Sequence, residues 1–160
     1  MTLRLEPIAA DTDPARFAAE LAPAFGGDEG PAREMLEQTV SLLTRDPRPA
    51  PWGSYLARQN GQAIGICAFK SAPTEAGEAE LAYMTFPAFE GRGHAGAMIA
   101  LLAAIADRAG VLPIAHTLSE ENASNKALRR NGFAFAGPVE DPEDGLVWRW
   151  ERRPGGPRSS

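Results

Sequence analysis

The spacing of apolar and polar residues along the chain predicts strands and helices in alternation. Apolar residues recur at every second position in stretches such as "TLRLEPI" and at helical spacing in "PAREMLEQTVSLLTRD". Asn60 and Gly61 separate two strand patterns and predict a tight hairpin turn. The apolar run from Ala95 to Ala106 is too short to cross a bilayer and predicts a buried helix.

These patterns predict the element order β-α-α-β-β-β-α-β-α-β-β. Hairpins and helices are interspersed in this order, so we expect an α/β fold with a mixed, mostly antiparallel sheet flanked by helices. Residues 1–152 are expected to form one domain, and the Pro-, Gly- and Ser-rich segment 153–160 a disordered tail. The final strand pattern, "LVWRWE", is expected at an exposed edge, so both a monomer and a homodimer remain open.

Composition excludes several classes of protein. The 160 residues are 44% hydrophobic and 23% charged, which is typical of a globular domain, and the net charge of −5 argues against nucleic-acid binding. One cysteine and two histidines make a structural zinc site implausible. Cys67 lies in an apolar stretch, so we expect a buried free thiol and a reducing, cytoplasmic location. The N-terminal "MTLRLEPI" lacks the apolar core of a signal peptide, and no membrane association is expected.

Gly91, Gly93 and Gly96 have the spacing G-x-G-x-x-G, which occurs in dinucleotide-binding turns. In such turns the first glycine follows the strand directly, whereas "PAFE" intervenes here, and the surrounding repeated β-α units are missing. Glu120 and Glu121 follow the next strand, near the position of a ribose-binding acid. A dinucleotide-binding oxidoreductase is therefore kept as an alternative.

The same segment also suits a phosphate-binding loop. It leads directly into a helix, whose first backbone N–H groups have no partners within the helix and attract anions. Glycine allows the backbone to approach an anion closely, and Arg92 can add a charge-assisted contact. At His94 we expect the backbone N–H to matter more than the ring. A tight turn that needs glycine only for folding remains open on this segment alone.

Two longer segments carry a family resemblance. "ELAYMTFPAFEGRGHAGAMIALLAAIA" resembles motif A of the GNAT superfamily of N-acetyltransferases, and "EENASNKALRRNGF" resembles the helix that follows in that family. The pattern is most similar to the branch that includes ribosomal-protein N-terminal acetyltransferases. The resemblance implies that an acetyl group moves from acetyl-CoA to a primary amine, on a protein N-terminus or a small molecule, by direct attack in a ternary complex. A non-catalytic module of this fold that binds acyl-CoA is the alternative.

The resemblance also implies where acetyl-CoA is bound. The strand before the loop is expected to bind the pantetheine arm, the loop to bind the pyrophosphate, and an amide side chain to contact the arm. Asn122 has an alternative role as the cap of the helix that follows. The implied residues are Met84, Thr85, Phe86, Gly91, Arg92, Gly93, His94, Ala95, Gly96 and Asn122, with no metal.

The sequence departs from the family pattern at two positions. Glu90 stands where a Gln or Arg is usual, and we expect its carboxylate to point away from the phosphates. Leu128 stands where many members have a tyrosine that protonates the leaving thiolate. Ser124 is therefore the candidate that the resemblance leaves for contact with the thiolate.

An acceptor amine must lose a proton before it can attack, so the site needs a base. Glu80 and His116 are the candidates, and they lie on neighbouring predicted strands. A solvent-facing carboxylate and a core histidine are the alternatives for these two residues. Tyr83 has the opposite parity to Glu80 on the same strand, so it is not expected to line the same surface.

Overall fold

The structure, a computed structural model, describes residues 2–152 and contains the predicted strands and helices in the predicted order. The segment 153–160, expected to be a disordered tail, lies outside the described residues. The strands are β1 (Leu3–Ile8), β2 (Ser54–Gln59), β3 (Gln62–Phe69), β4 (Glu78–Thr85), β5 (Leu112–Leu118), β6 (Ala134–Asp141) and β7 (Gly145–Glu151). The helices are α1 (Pro14–Leu21), α2 (Glu29–Arg45), α3 (His94–Arg108) and α4 (Ala123–Arg130), with 3₁₀ turns at Ala22–Phe25 and Pro87–Phe89.

The strands form one seven-stranded sheet in the order β1-β2-β3-β4-β5-β7-β6. Neighbouring strands run antiparallel except β4 and β5, which are parallel. The predicted α/β class with a mixed, mostly antiparallel sheet is therefore confirmed. A doubly wound dinucleotide-binding domain requires a series of parallel strands, so the fold does not support that interpretation of the glycine motif.

Each face of the sheet has its own apolar core. On one face, α3 and α4 cover a cluster that includes Phe69, Leu102 and Trp150, all with no exposed surface. On the other face, α1 and α2 cover a cluster around Leu36 and Phe86. Successive strand residues alternate between these two faces, which we call the α3 face and the α1 face.

Two helices begin earlier than the sequence pattern predicts. The expected start of α2 is Pro31, but the helix begins at Glu29 because Asp28 caps it, with Oδ1 accepting the Gly30 N–H at 2.9 Å. The apolar run that predicts α3 begins at Ala95, and the helix begins one residue earlier, at His94. Within residues 2–152 no helix has both the length and the hydropathy that a membrane span requires.

The expectation of an exposed final strand is wrong. Strand β7 lies between β5 and β6 and contributes Trp150 to the core, so β6 forms this edge of the sheet and β1 the other. The edge strand has a register irregularity between Phe135 and Gly137, followed by Pro138. A bulge and a proline both disfavour pairing with another strand, because they remove or misdirect backbone hydrogen-bonding groups.

Cys67 is confirmed as a buried free thiol. It lies on β3 in the α3-face core, with 2% of its surface exposed, and burial raises the pKa of the thiol to about 12. Gly65, two residues earlier, lets α3 approach the sheet, since a Cβ there would lie 2.7 Å from the Met84 carbonyl oxygen and 3.0 Å from Met98 Cε.

Candidate active site

The two parallel strands at the centre of the sheet separate partway along their length. β4 and β5 pair from Glu78 and Leu112 to Glu80 and Ile114, and the pairing ends there. The remaining part of β4 still pairs with β3 on its other side. The sheet therefore contains an opening between the second half of β4 and β5, and one edge of β4 faces it.

Backbone direction decides which β4 residues face this opening. The Phe86 N–H donates to Ile64 O at 2.9 Å, and the Lys70 N–H donates to Glu80 O at 2.9 Å. Even-numbered residues of β4 therefore direct their backbone groups toward β3, and odd-numbered residues direct theirs toward the opening. The Leu81 carbonyl and the main-chain groups of Tyr83 and Thr85 line the opening.

This alternation turns the backbone groups of two expected pantetheine-binding residues away from the opening. The Met84 carbonyl points toward β3, where it lies against Gly65. Both backbone groups of Phe86 already have partners, because its oxygen accepts the Phe89 N–H at 2.9 Å in addition to the bond to β3. Thr85 directs its backbone groups to the opening, and so does Tyr83, which is not among the expected residues although strand parity identifies it.

The glycine loop lies at the N-terminus of α3. Gly91 and Gly93 both have φ of 79°, a left-handed conformation, and a Cβ at either position would meet nothing within 4 Å. The first turn of the helix has no side-chain cap, so its N–H groups are free of local side-chain acceptors. Arg92 is exposed and lies over the Phe89 ring at 5.6 Å, and Glu90 is also exposed.

The first turn of α3 contains the remaining loop residues of the prediction. The Ala97 N–H donates to Gly93 O at 3.4 Å, so the N–H groups of His94, Ala95 and Gly96 precede the first helical hydrogen bond. The His94 side chain is buried, with 7% of its surface exposed, and burial and the nearby Arg92 charge lower its pKa. The ring is therefore withdrawn from solvent, while the backbone N–H lies in the first turn of the helix.

The two candidate bases lie side by side on the α1 face. His116 Nδ1 is 3.0 Å from Glu80 Oε2, and Lys70 Nζ is 3.0 Å from the same carboxylate oxygen. The imidazole N–H is not aligned for a hydrogen bond to that oxygen, so the contact is close but not optimal. About a fifth of each side chain is accessible, 22% for Glu80 and 18% for His116, which leaves the pair reachable from solvent.

A second polar pair lies on the α3 face. Tyr83 Oη and Ser124 Oγ are 2.6 Å apart and connect β4 with the first turn of α4. Asn122 caps α4, with Oδ1 accepting the Asn125 N–H at 3.0 Å, so its alternative capping role is present in the structure. Leu128 is fully buried in the α3-face core and presents no polar group.

The residues present fit acetyl-CoA as a substrate. Two open left-handed glycines, the N–H groups at the start of α3 and the exposed Arg92 guanidinium together offer donors and space for a pyrophosphate. The unpaired edge of β4 offers amide groups to an extended arm. In residues 2–152 no group of three or more His, Cys, Asp or Glu side chains is arranged to hold a metal ion.

A mixed sheet that opens beside a glycine loop, with a carboxylate–imidazole pair next to the opening, defines an acyl-CoA-dependent transferase. The chain belongs to the GNAT acetyltransferase domain family, whose sequence model matches residues 2–134. The predicted class, an acetyl-CoA-dependent N-acetyltransferase, is thereby confirmed at the level of the family. No curated protein sequence matches the chain.

Solved structures share the fold at low sequence identity. The acetyltransferase of Salmonella typhimurium that modifies the N-terminal serine of ribosomal protein L7/L12 has a TM-score of 0.66 and 18% identity, covering 95% of each chain. The microcin C7 self-immunity acetyltransferase MccE, solved with acetyl-CoA and AMP, has a TM-score of 0.69 and 16% identity, covering 94% of this chain and 92% of MccE. A spermidine N-acetyltransferase chimera from Vibrio cholerae SpeG and hSSAT has a TM-score of 0.68 and 15% identity, covering 95% of each chain.

Proposed function

We propose that this protein transfers the acetyl group of acetyl-CoA to a primary amine by direct attack within a ternary complex. The observation that carries the proposal is the separation of β4 from β5 immediately after Glu80, beside the loop containing Gly91 and Gly93. This arrangement provides hydrogen-bond donors for an anion at one end of the opening, and Glu80 and His116 as candidate bases at its side. The family match supports acetyl-CoA as the acetyl donor. The acceptor in this proposal is a protein N-terminus or a small-molecule amine.

In this proposal, acetyl-CoA is bound mainly by backbone groups of the protein. The N–H groups of His94, Ala95 and Gly96 and the Arg92 guanidinium hold the pyrophosphate, and the odd-numbered backbone groups of β4 hold the pantetheine arm. Thr85 is the expected residue that keeps this role. A free backbone N–H directed at the thioester carbonyl would stabilise the charge that develops on its oxygen.

Glu80 and His116 act together in the proposal, as the base and its orienting partner. The Glu80 carboxylate lies 3.0 Å from Nδ1, so its negative charge favours a proton on that side of the ring and leaves Nε2 to accept a proton from the acceptor ammonium. Lys70 contacts the same carboxylate and offsets its charge. The role of the pair is to produce a neutral amine at the opening of the sheet.

Release of free CoA thiol from acetyl-CoA with a panel of amines tests the proposed function. The panel includes peptides with different N-terminal residues, polyamines and aminoglycosides, and acetylated products are confirmed by mass spectrometry. Glu80→Gln is the matched inactive variant, and Glu78→Gln, on the same strand and face, is the control. Binding of acetyl-CoA without transfer to any amine would instead support the non-catalytic module.

Location and assembly complete the proposal. A buried free thiol at Cys67 is compatible with a reducing compartment, so we propose a cytoplasmic protein. The bulge and Pro138 on the edge strand β6 disfavour strand pairing between copies and favour a monomer over a dimer formed at that edge. Light scattering on the purified protein, with and without acetyl-CoA, measures the oligomeric state directly.

A further inference from the structure

Tyr83 and Ser124 are brought together across the opening of the sheet. Tyr83 lies on the half of β4 that no longer pairs with β5, and Ser124 lies in the first turn of α4, which follows β5. Their oxygens are 2.6 Å apart, and the Tyr83 ring packs against the α3-face core. The contact therefore connects the two sides of the opening on the face opposite Glu80 and His116.

Chemistry indicates which oxygen donates the proton in this hydrogen bond. A phenol is a stronger donor than an aliphatic hydroxyl. Burial raises the pKa of Tyr83 above its ordinary value of 10.0, only partly opposed by the hydrogen bond to Ser124, so the phenol stays protonated at neutral pH. With Ser124 Oγ accepting from Tyr83, the Ser124 O–H can be directed elsewhere.

Many members of the family have a tyrosine on the helix that corresponds to α4, where it protonates the leaving thiolate, and this chain has no phenol at that position. Leu128 occupies that position and is fully buried, so α4 itself provides no acid there. We propose, given the proposed function, that Tyr83 is a positioning residue that orients the Ser124 hydroxyl toward the leaving sulfur of acetyl-CoA. The phenol thus comes from β4 and acts through the serine on α4.

The bond changes in this step balance without a further reactant. The lone pair of the neutral amine forms the new carbon–nitrogen bond, the carbon–sulfur bond breaks with its electron pair on sulfur, and the nitrogen loses one proton to solvent to become the amide. Ser124 donates a hydrogen bond to the developing thiolate while accepting one from Tyr83, so neither oxygen changes its protonation state. The thiolate takes a proton from solvent on release, which is feasible because an ordinary thiol has a pKa of about 8.5.

Kinetics of Tyr83→Phe, Ser124→Ala and the double variant provide the first test. We expect Tyr83→Phe to lower kcat about tenfold with little change in the KM for acetyl-CoA, because the interaction strengthens as charge develops on sulfur. Ser124→Ala should lower kcat further, and adding Tyr83→Phe to it should cost nothing more. Tyr55→Phe is the matched control. The Tyr55 phenol donates to the Pro51 carbonyl at 2.5 Å, and this hydrogen bond lies away from the opening.

Binding of CoA, measured by calorimetry between about pH 7 and pH 9, provides a test that needs no acceptor. The wild-type protein should bind CoA more tightly as its thiol ionises, whereas desulfo-CoA should show no such gain. Tyr83→Phe and Ser124→Ala should both lose the gain while binding desulfo-CoA normally.

The possible results separate this inference from the proposed function. Loss of the thiolate-dependent gain in both variants supports the role of Tyr83, even if no amine in the panel is acetylated. A second result is that the wild-type protein acetylates amines while Tyr83→Phe keeps full kcat and the full gain in CoA affinity on thiol ionisation. That result would overturn the role of Tyr83 and leave the proposed function intact. A Tyr83→Phe variant that only melts earlier, as Tyr55→Phe would, also overturns it.

Discussion

His116 Nδ1 and Glu80 Oε2 lie 3.0 Å apart, although the two residues belong to different strands of the sheet. They lie on the same face because Glu80 is opposite Ile114 in the parallel pair, and His116 follows two positions later, where the strands separate. A carboxylate beside an imidazole favours a proton on the nearer ring nitrogen and leaves the other nitrogen to accept one. The pair therefore combines two candidate bases that the sequence presents as alternatives.

Glu80→Gln should lower kcat about 100-fold, because general-base catalysis typically contributes a factor of this size or more. His116→Gln should have a similar effect, and the double variant should be no slower than the slower single variant, since the residues act as one unit. Steady-state CoA release measures all three. Equal activities of Glu80→Gln and the control Glu78→Gln would contradict the assignment of the base.

Substitutions at Gly93 should separate backbone strain from loss of anion binding. Gly93→Ala places a Cβ in open space at φ 79°, so it should cost only about 1 kcal/mol of stability. Gly93→Asp adds a negative charge to the phosphate cradle and should also abolish acetyl-CoA binding. In a thermal-shift assay, acetyl-CoA at about 100 times its Kd should stabilise the wild-type protein by about 2.7 kcal/mol and Gly93→Asp not at all.

Gly77 provides the control for this experiment. It has a similar φ of 76° and equally open surroundings, but it lies in the turn before β4. Gly77→Asp should therefore be destabilised to a similar extent while keeping its full response to acetyl-CoA. Loss of the response in both variants would indicate that strain, and not charge at the cradle, disrupts binding.

The fold was predictable from the sequence because it depends on local periodicity and turn residues. The hairpin at Asn60 and the helix after Gly93 are both encoded within a few neighbouring residues. Strand neighbours were less predictable, because pairing of β7 with both β5 and β6 depends on contacts distant in the sequence. The Tyr83–Ser124 contact was missed for the same reason, since parity on one strand does not show which helix lies above it.

Cys67 should be inert to thiol reagents in the native protein. Its pKa of about 12 and 2% exposure leave almost no accessible thiolate at neutral pH. A chromogenic disulfide reagent should therefore label the native protein on the timescale of unfolding and label it at once in denaturant. Rapid native labelling, without loss of the folded circular-dichroism spectrum, would show that this region of the core opens locally.

Protonation of His94 should destabilise the fold. Its pKa in the folded state lies below the ordinary value of 6.5, so the unfolded chain binds the proton more strongly. The contribution to stability is therefore fully present above about pH 6.5 and is lost as the pH falls toward the lowered value. Melting temperatures measured between about pH 5 and pH 8 should fall less steeply for His94→Gln than for the wild-type protein.

Asn122 should have two separable roles, which two substitutions can distinguish. Asn122→Ala removes the side-chain oxygen that accepts the Asn125 N–H at 3.0 Å, and loss of such a cap should cost about 1 kcal/mol of stability. Asn122→Asp keeps a capping oxygen but has no amide N–H to offer the pantetheine arm. It should therefore melt near the wild-type temperature while its KM for acetyl-CoA rises about tenfold, as expected for an interaction present in both the ground state and the transition state. An Asn122→Asp variant with unchanged KM and normal stability would leave Asn122 with the capping role alone, and the arm would then be held by the backbone of β4.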